Sequence, residues 1–300
     1  MKTTSRLFTL SFLTLSSAVI NCGGAGDPGL SNDIIGEQAG ELSRIHIMRL
    51  HNPSDDPTAT ERAAQASRMA LTNYGGPVLK NVQVYPVNWG SGVRCSSNID
   101  SGYTTLVGSS IYTSLLPQYS GIGTGTNHAT YTDTGAPTGS AVSDAQIQTE
   151  LNRLITAGAV PAPGPNNYYP IHFPSGKVIT GSDGSRSCVQ FCAYHGTYVR
   201  NGVNVNYGVI PDVGDSGCSG GCGASTQCNN TTSVMSHELV EATTDPGVGL
   251  ATVYGPPLAW YNKTYGEIGD ICNGQQGTVT GSTIVVQKEW SNSKSLCVTN

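Results

Sequence analysis

The sequence predicts an α+β domain, stabilised by disulfides and built on a mixed or antiparallel sheet with a few helices. Three observations lead there. Strand-like and helix-like segments follow one another without the regular alternation of a parallel doubly wound protein. Of nine cysteines, eight follow Cys22 and form an even set. The 38 Gly and 16 Pro in 300 residues supply many turns, while 37% hydrophobic residues suffice for a core. A balance of 15 Lys+Arg against 20 Asp+Glu, net −5, opposes nucleic-acid binding driven by phosphate neutralisation. No apolar run reaches the roughly 18 residues that a membrane-spanning helix needs.

Residues 1–22 read MKTTSRLFTLSFLTLSSAVINC, with Lys2 and Arg6 as a basic start and an apolar or small stretch from Leu7 to Ile20. This is the pattern of a secretory signal peptide. It runs into Cys22, Gly23 and Gly24, which resembles a bacterial lipoprotein signal whose cysteine becomes acylated. The expectation is an extracytoplasmic chain, lipid-anchored to a bacterial membrane through Cys22 or secreted, with no other membrane attachment. Residues 23–57 are polar and weakly periodic and read as a flexible tether, leaving residues 58–300 as one folded domain. Export favours disulfides among Cys95, Cys188, Cys192, Cys218, Cys222, Cys228, Cys272 and Cys297. The rival is a zinc site from Cys188, Cys192, Cys218 and Cys222, whose two C-x3-C pairs fit zinc-ribbon spacing.

Within the domain, Ala59 to Leu71 is Ala-rich and predicts a short helix stopped by Gly75, Gly76 and Pro77. VQVYPVNW, Val82 to Trp89, reads as a strand in which Pro86 marks an edge or a bulge. Ser143 to Ala157 is the clearest helix: Ser143 and Gln146 fit a capping box, and Ile147, Leu151, Leu154 and Ile155 share one face. NYYPIHF, KVIT, VNVNYGVI and STIVVQKEW read as strands bounded by Gly, Pro, Asn and Asp.

The chemistry concentrates in NNTTSVMSHELVEATTDPG, Asn229 to Gly247, where a helix is expected from about Thr232 to Thr243 before Asp245-Pro246 ends it. On that helix His237 and Glu241 stand at i and i+4, so one imidazole and one carboxylate can converge on a metal. Glu238 is turned about 100° away and is not placed to be a ligand beside them. This is the HExxH zinc-helix spacing, with Glu238 as general base on water and Glu241 in place of the second His. Glu267 and Asp270 in GEIGDICNG are alternative sources of a further ligand. Between Glu238 and Asp270 stand five acids and one base, Lys263. Asp245 caps a turn or orients His237 through its second nitrogen. A His at the centre selects zinc over calcium.

YGGPVLKNVQVYPVNWG, CVQFCAYHGTY and SHELVEATTDP, followed by AWY and GEIGDIC, together resemble the EXORDIUM or phosphate-induced protein family over roughly residues 70–298. That resemblance implies an exported protein. Bacterial chains with SHELVEA and GEIGD look like zincin-type metalloproteins, which implies a zincin-like fold, His237 and Glu241 as helix ligands, Glu238 as catalytic base, and Glu267 or Asp270 as the downstream ligand. The implied function is that of a zinc metallopeptidase hydrolysing peptide bonds with zinc-activated water, its partner a peptide or protein substrate. The alternative is a noncatalytic envelope or cell-wall binding module, its partner a cell-envelope polymer and its metal structural or absent. His195 in CAYHGTY reads as a loop histidine satisfied by hydrogen bonds, and His46, His51, His128 and His172 show no partner pattern. Tyr254, Trp260, Tyr261 and Tyr265 flank the acidic stretch as core or loop aromatics.

Overall fold

The computed structural model describes residues 45–52, 60–61, 65–135 and 137–300. The signal segment and most of the tether lie outside them, as do Ala59 and residues 62–64 of the first expected helix. The described end of that helix is a 3-10 turn, Ala66–Arg68. No helix of the described residues is long and apolar enough to cross a membrane.

The architecture is mixed α+β. Its main sheet contains β1 (Ile45–Arg49), β2 (Gln83–Val84), β3 (Val87–Trp89), β4 (Thr126–Asn127), β5 (Tyr131–Asp133), β6 (Asn167–His172), β7 (Phe191–Arg200) and β8 (Val203–Ile210). One half is antiparallel, β1 against β7 and β7 against β8. The other half is parallel: β8 with β6, β6 with β2 and β3, and these with β4 and β5. Pro86, which has no N–H for the ladder, sits at the break between β2 and β3, where the sequence places an edge or bulge. Strand β1 falls inside the segment read as tether, so residues 45–49 belong to the sheet instead; Ile-His-Ile-Met-Arg is long enough for one edge strand.

Among the described residues three long helices cover the sheet. Helix α1 (Ser96–Val107) buries Ile99, Tyr103, Leu106 and Val107 in the same core as Val234, Met235, Leu239 and Val240 of α3 (Gln227–Thr244). Helix α2 (Asp144–Thr156) buries Ile147, Leu151, Leu154 and Ile155 in a second core with Tyr169, Tyr194 and Tyr207. Its capping box forms as the sequence predicts: Ser143 Oγ accepts from Gln146 N–H, and the Gln146 side chain accepts from Ser143 N–H. Asp144 on this face accepts the hydroxyls of Tyr194 and Tyr207 at 2.8 and 2.7 Å.

Helix α3 begins five residues earlier than the sequence suggests, and from Asn230 onward all its residues are buried. The polar first turn is held by tertiary links: Cys228 forms a disulfide with Cys95 at the start of α1, and Thr232 Oγ1 donates to Val285 O. The other disulfides are Cys188–Cys218, Cys192–Cys222 and Cys272–Cys297, so all four cysteines of the rival zinc site are bonded to one another. The bridges are consistent with an extracytoplasmic location.

Cys95–Cys228 closes 133 residues and Cys272–Cys297 only 25. Loop-closure entropy then assigns about 5 kcal/mol to the first and about 3.5 kcal/mol to the second. Paired Cys→Ala variants of each bridge, compared by urea unfolding, are expected to lose stability in that order; the reverse order would refute the entropic assignment.

Candidate metal centre

Antiparallel pairing sets His46 of β1 directly opposite His195 of β7, so both rings project from one sheet face, with centroids 6.3 Å apart. Helix α3 crosses that face and brings His237, Glu238 and Glu241 beneath the two histidines. After α3 the chain returns over the helix as the loop Gly266–Asp270 and delivers Glu267 and Asp270. The return is fixed by backbone donors: Asp270 N–H to Glu241 Oε1 at 3.0 Å, and Glu267 N–H to Asp270 Oδ2 at 3.1 Å. Gly269 permits the close approach, because a Cβ there would stand 2.7 Å from His237 Nδ1 and 2.9 Å from Glu241 Oε1.

His237 Nε2 lies 3.1 Å from Glu241 Oε1 and 3.9 Å from Asp270 Oδ1. His195 Nδ1 lies 3.3 Å from Glu238 Oε2 and 3.6 Å from Glu241 Oε2, while its Nε2 lies 3.5 Å from Glu267 Oε1. Glu267 Oε2 lies 2.9 Å from His46 Nδ1. Three groups each bring their donor atoms within 4.8 Å of one another: His237 with Glu241 and Asp270, His195 with Glu238 and Glu241, and His46 with Glu267 and Asp270. Burial is nearly complete, at 0% exposure for His195, His237, Glu238 and Glu267, and the Asp270 side chain, at 25%, is the most open to solvent.

The hydrogen-bond accounting leaves this cluster short. Nε2 of His46, His195 and His237, Oε1 of Glu238, Oε2 of Glu241 and both oxygens of Glu267 are buried with no aligned partner. Five of the seven have only ion-pair contacts out of hydrogen-bond alignment, at 2.9 to 3.6 Å, and a buried polar atom left without an aligned partner costs about 1–3 kcal/mol. The separations of 3.1 to 3.9 Å between facing donors bracket the edge of about 3.4 Å expected for a tetrahedron of 2.0–2.2 Å metal–ligand bonds. The residues present fit a divalent cation.

Charge follows the same geometry. Burial would depress the His195 imidazole, but the carboxylates of Glu267, Glu238 and Glu241 more than offset it and hold it well above the usual range. His237 is raised in the same way, chiefly by Glu241. Burial pushes Glu238 up to about 7. Glu267 goes down to about 2, because His195 and His46 outweigh its desolvation.

Several residues stand differently from the sequence reading. Glu238 joins His195 and Glu241 within ligand distance, because the partner comes from the sheet and not from the helix face that carries His237. His195 is a buried strand residue at the centre of the cluster, not a satisfied loop histidine, and His46 pairs with Glu267. Glu267 faces these two histidines, while Asp270 lies with His237 and Glu241. Asp245 accepts Ala259 N–H at 2.8 Å and so braces the following loop. The residue at the second nitrogen of His237 is Gln287, on the strand Val285–Gln287, whose Nε2 is 2.7 Å from His237 Nδ1 and donates to Gly269 O at 2.9 Å. Nothing in STIVVQKEW marks that role. Lys263 sits over the Tyr254 ring at 4.5 Å, and Tyr261 meets His46 edge-on at 5.6 Å.

Comparison with protein-family models, curated proteins and solved structures gives no match.

Two substitutions probe the geometry. Gly269→Ala is expected to force the loop off α3 and weaken zinc binding while the disulfides and secondary structure persist; unchanged affinity in zinc titration would show that the loop is not set by this contact. Gln287→Leu removes the group that orients the His237 ring, and a loss of about 10–100-fold in zinc affinity is expected by calorimetry.

Proposed function

We propose that the chain is an exported, disulfide-stabilised zinc metalloprotein of zincin-like type that hydrolyses peptide bonds, with His237, Glu241 and Asp270 holding the metal. The observation that carries this reading is the set of buried imidazole and carboxylate atoms, without aligned hydrogen bonds, that converge where α3 meets the loop Gly266–Asp270. A nitrogen ligand among carboxylates favours zinc over calcium. A divalent cation bound there would supply Lewis acidity toward a carbonyl. Glu238, raised to about 7, is suited to take a proton and return it near neutral pH. His195 Nδ1, at 3.3 Å from Glu238 Oε2, fixes that carboxylate and balances its charge. The likeness of SHELVEATTDP and GEIGDIC to bacterial zincin-type members, and of the longer chain to the EXORDIUM family, supports the same reading. Export is supported by the four disulfides; anchoring through a lipid on Cys22, or secretion, belongs to this proposal.

A second reading is favoured by the burial itself. With Asp270 alone partly open among the cluster's acids, the metal would serve as a structural centre of an envelope-binding module.

Elemental mass spectrometry of the purified chain, beside a His237→Ala, Glu241→Ala double variant, tests the metal. Bound zinc lost in the variant is expected; no metal in the folded wild type, even after zinc addition, would end both metal readings. Glu238→Gln separates them. It is expected to retain zinc and lose hydrolysis of a peptide library by about 10²–10⁴-fold, whereas absence of hydrolysis in the zinc-loaded wild type would leave the structural role.

A further inference from the structure

The parallel half of the sheet has a polar crevice of its own, built from residues that take no part in the metal centre. Helix α1 joins β3 to β5 on one face of the sheet, and α2 joins β5 to β6 on the other, with β5 and β6 paired to opposite edges of β3. Connections that divide in this way open a crevice beyond the carboxyl end of the central strand, the place where open parallel sheets bind their ligands. A cavity of about 360 Å³ lies there, between the ends of β3 and β5 and the first turns of α1. That is within the size range of small-molecule sites.

Strand alternation decides which side chains face it. Val87 and Trp89 pack in the core of α2, so Asn88 between them points to the α1 side. Tyr131 packs against the same core and Asp133 pairs with Arg153 of α2, so Thr132 points with Asn88. Register sets Thr132, Asn88 and His172 in one row across three strands. His172 has a partner, the Tyr103 hydroxyl, 3.2 Å from its Nε2. Asn88 does not: the residue is 6% exposed, and its Oδ1 is buried with no hydrogen bond. A buried amide oxygen left in that state is costly, and here it lines the cavity. Opposite it, Cys95 at the N-cap gives no side-chain acceptor to the first turn of α1, which Ser96 and Ser97 open.

The remaining lining selects the ligand. Asp100 is exposed on α1 and accepts Thr130 Oγ1 at 3.1 Å. Among the described residues that line the cavity, Val93 is the sole apolar side chain, and there is no Lys, Arg, His or aromatic ring. The neighbouring Arg94 is held by Asp212 and Asp215. A carboxylate without a counter-cation opposes an anion, and a wall of hydroxyls gives an apolar ligand nothing to bury against. A neutral ligand dense in hydroxyls suits this set, because a hydroxyl both donates and accepts. It can satisfy the Asn88 amide in either orientation, donate to Asp100 and accept from the first turn of α1. We propose that the crevice between α1 and the ends of β3 and β5 binds a neutral saccharide through Asn88 and Asp100. The site shares no residue with the metal centre and needs no metal.

The test is calorimetric titration of the full chain with maltotriose, cellotriose, mannotriose and chitotriose, beside co-sedimentation with purified peptidoglycan. Binding to at least one of these probes is expected, with affinity falling about tenfold in Asn88→Ala and in Asp100→Ala. Binding of a trisaccharide assigns a free short saccharide, and binding to peptidoglycan alone assigns a wall polymer; either supports the site when both variants weaken it. No binding to any probe overturns the proposal, and so does binding that the folded variants leave unchanged. Should Asn88→Ala fail to fold, Asp100→Ala, at an exposed position of α1, decides alone: weakened binding supports the site and unaltered binding overturns it.

Discussion

Carboxylates taken out of water dominate this structure. An ionised carboxyl in a medium of low dielectric is so unfavourable that it must acquire a proton, a counter-charge or a metal, and Glu238, Glu241 and Glu267 are all buried within a few ångströms of three histidines. The surrounding fold arranges those counterparts. The sheet presents His46 and His195, α3 presents His237 at the spacing that meets Glu241, and the returning loop offers its own N–H groups to the carboxylates. None of the three sources contains a complete site. Each carboxyl has tolerable surroundings only when sheet, helix and loop are assembled, which couples the cluster to the whole tertiary structure.

The same constraint explains why the polar layer is so narrow. On the far side of the sheet the core is aromatic, with Tyr194 and Tyr207 giving their hydroxyls to Asp144. On the near side, Ile99, Tyr103 and Leu106 of α1 pack with Val234, Met235 and Leu239 of α3. Apolar walls keep the effective dielectric low and so strengthen every interaction within the cluster. They also make an unpaired group there more costly than it would be at the surface.

Much of this was legible in the residues, and the failures have identifiable causes. Helix α2 carries both a capping box and a regular apolar face, and local and tertiary preferences agree. Helix α1, SSNIDSGYTTLV, gives little local signal because Ser, Thr and Gly are poor helix formers; Ile99, Tyr103 and Leu106 hold it through burial at i, i+4 and i+7. β7 is buried on both faces over its first seven residues, so it lacks the alternation that marks a strand, and His195 carries no local strand signal. The parallel half of the sheet was hidden because β2 and β3 are short and broken at Pro86. At the centre, the i and i+4 spacing of His237 and Glu241 is a local signal and survives in one dimension. His46, His195 and Gln287 are remote in sequence, and only strand register and the strand Val285–Gln287 bring them to the helix.

Cys188 and Cys192 flank the entry to β7, and their partners Cys218 and Cys222 precede α3. Two covalent links four residues apart on each side act as a clamp rather than as a hinge, because a single bond allows rotation about its axis and a pair does not. The strand that carries His195 and the helix that carries Glu238 are therefore measured from one common origin. The chain leading into that helix is thus tied covalently, at two points, to the strand that carries the histidine facing its glutamate.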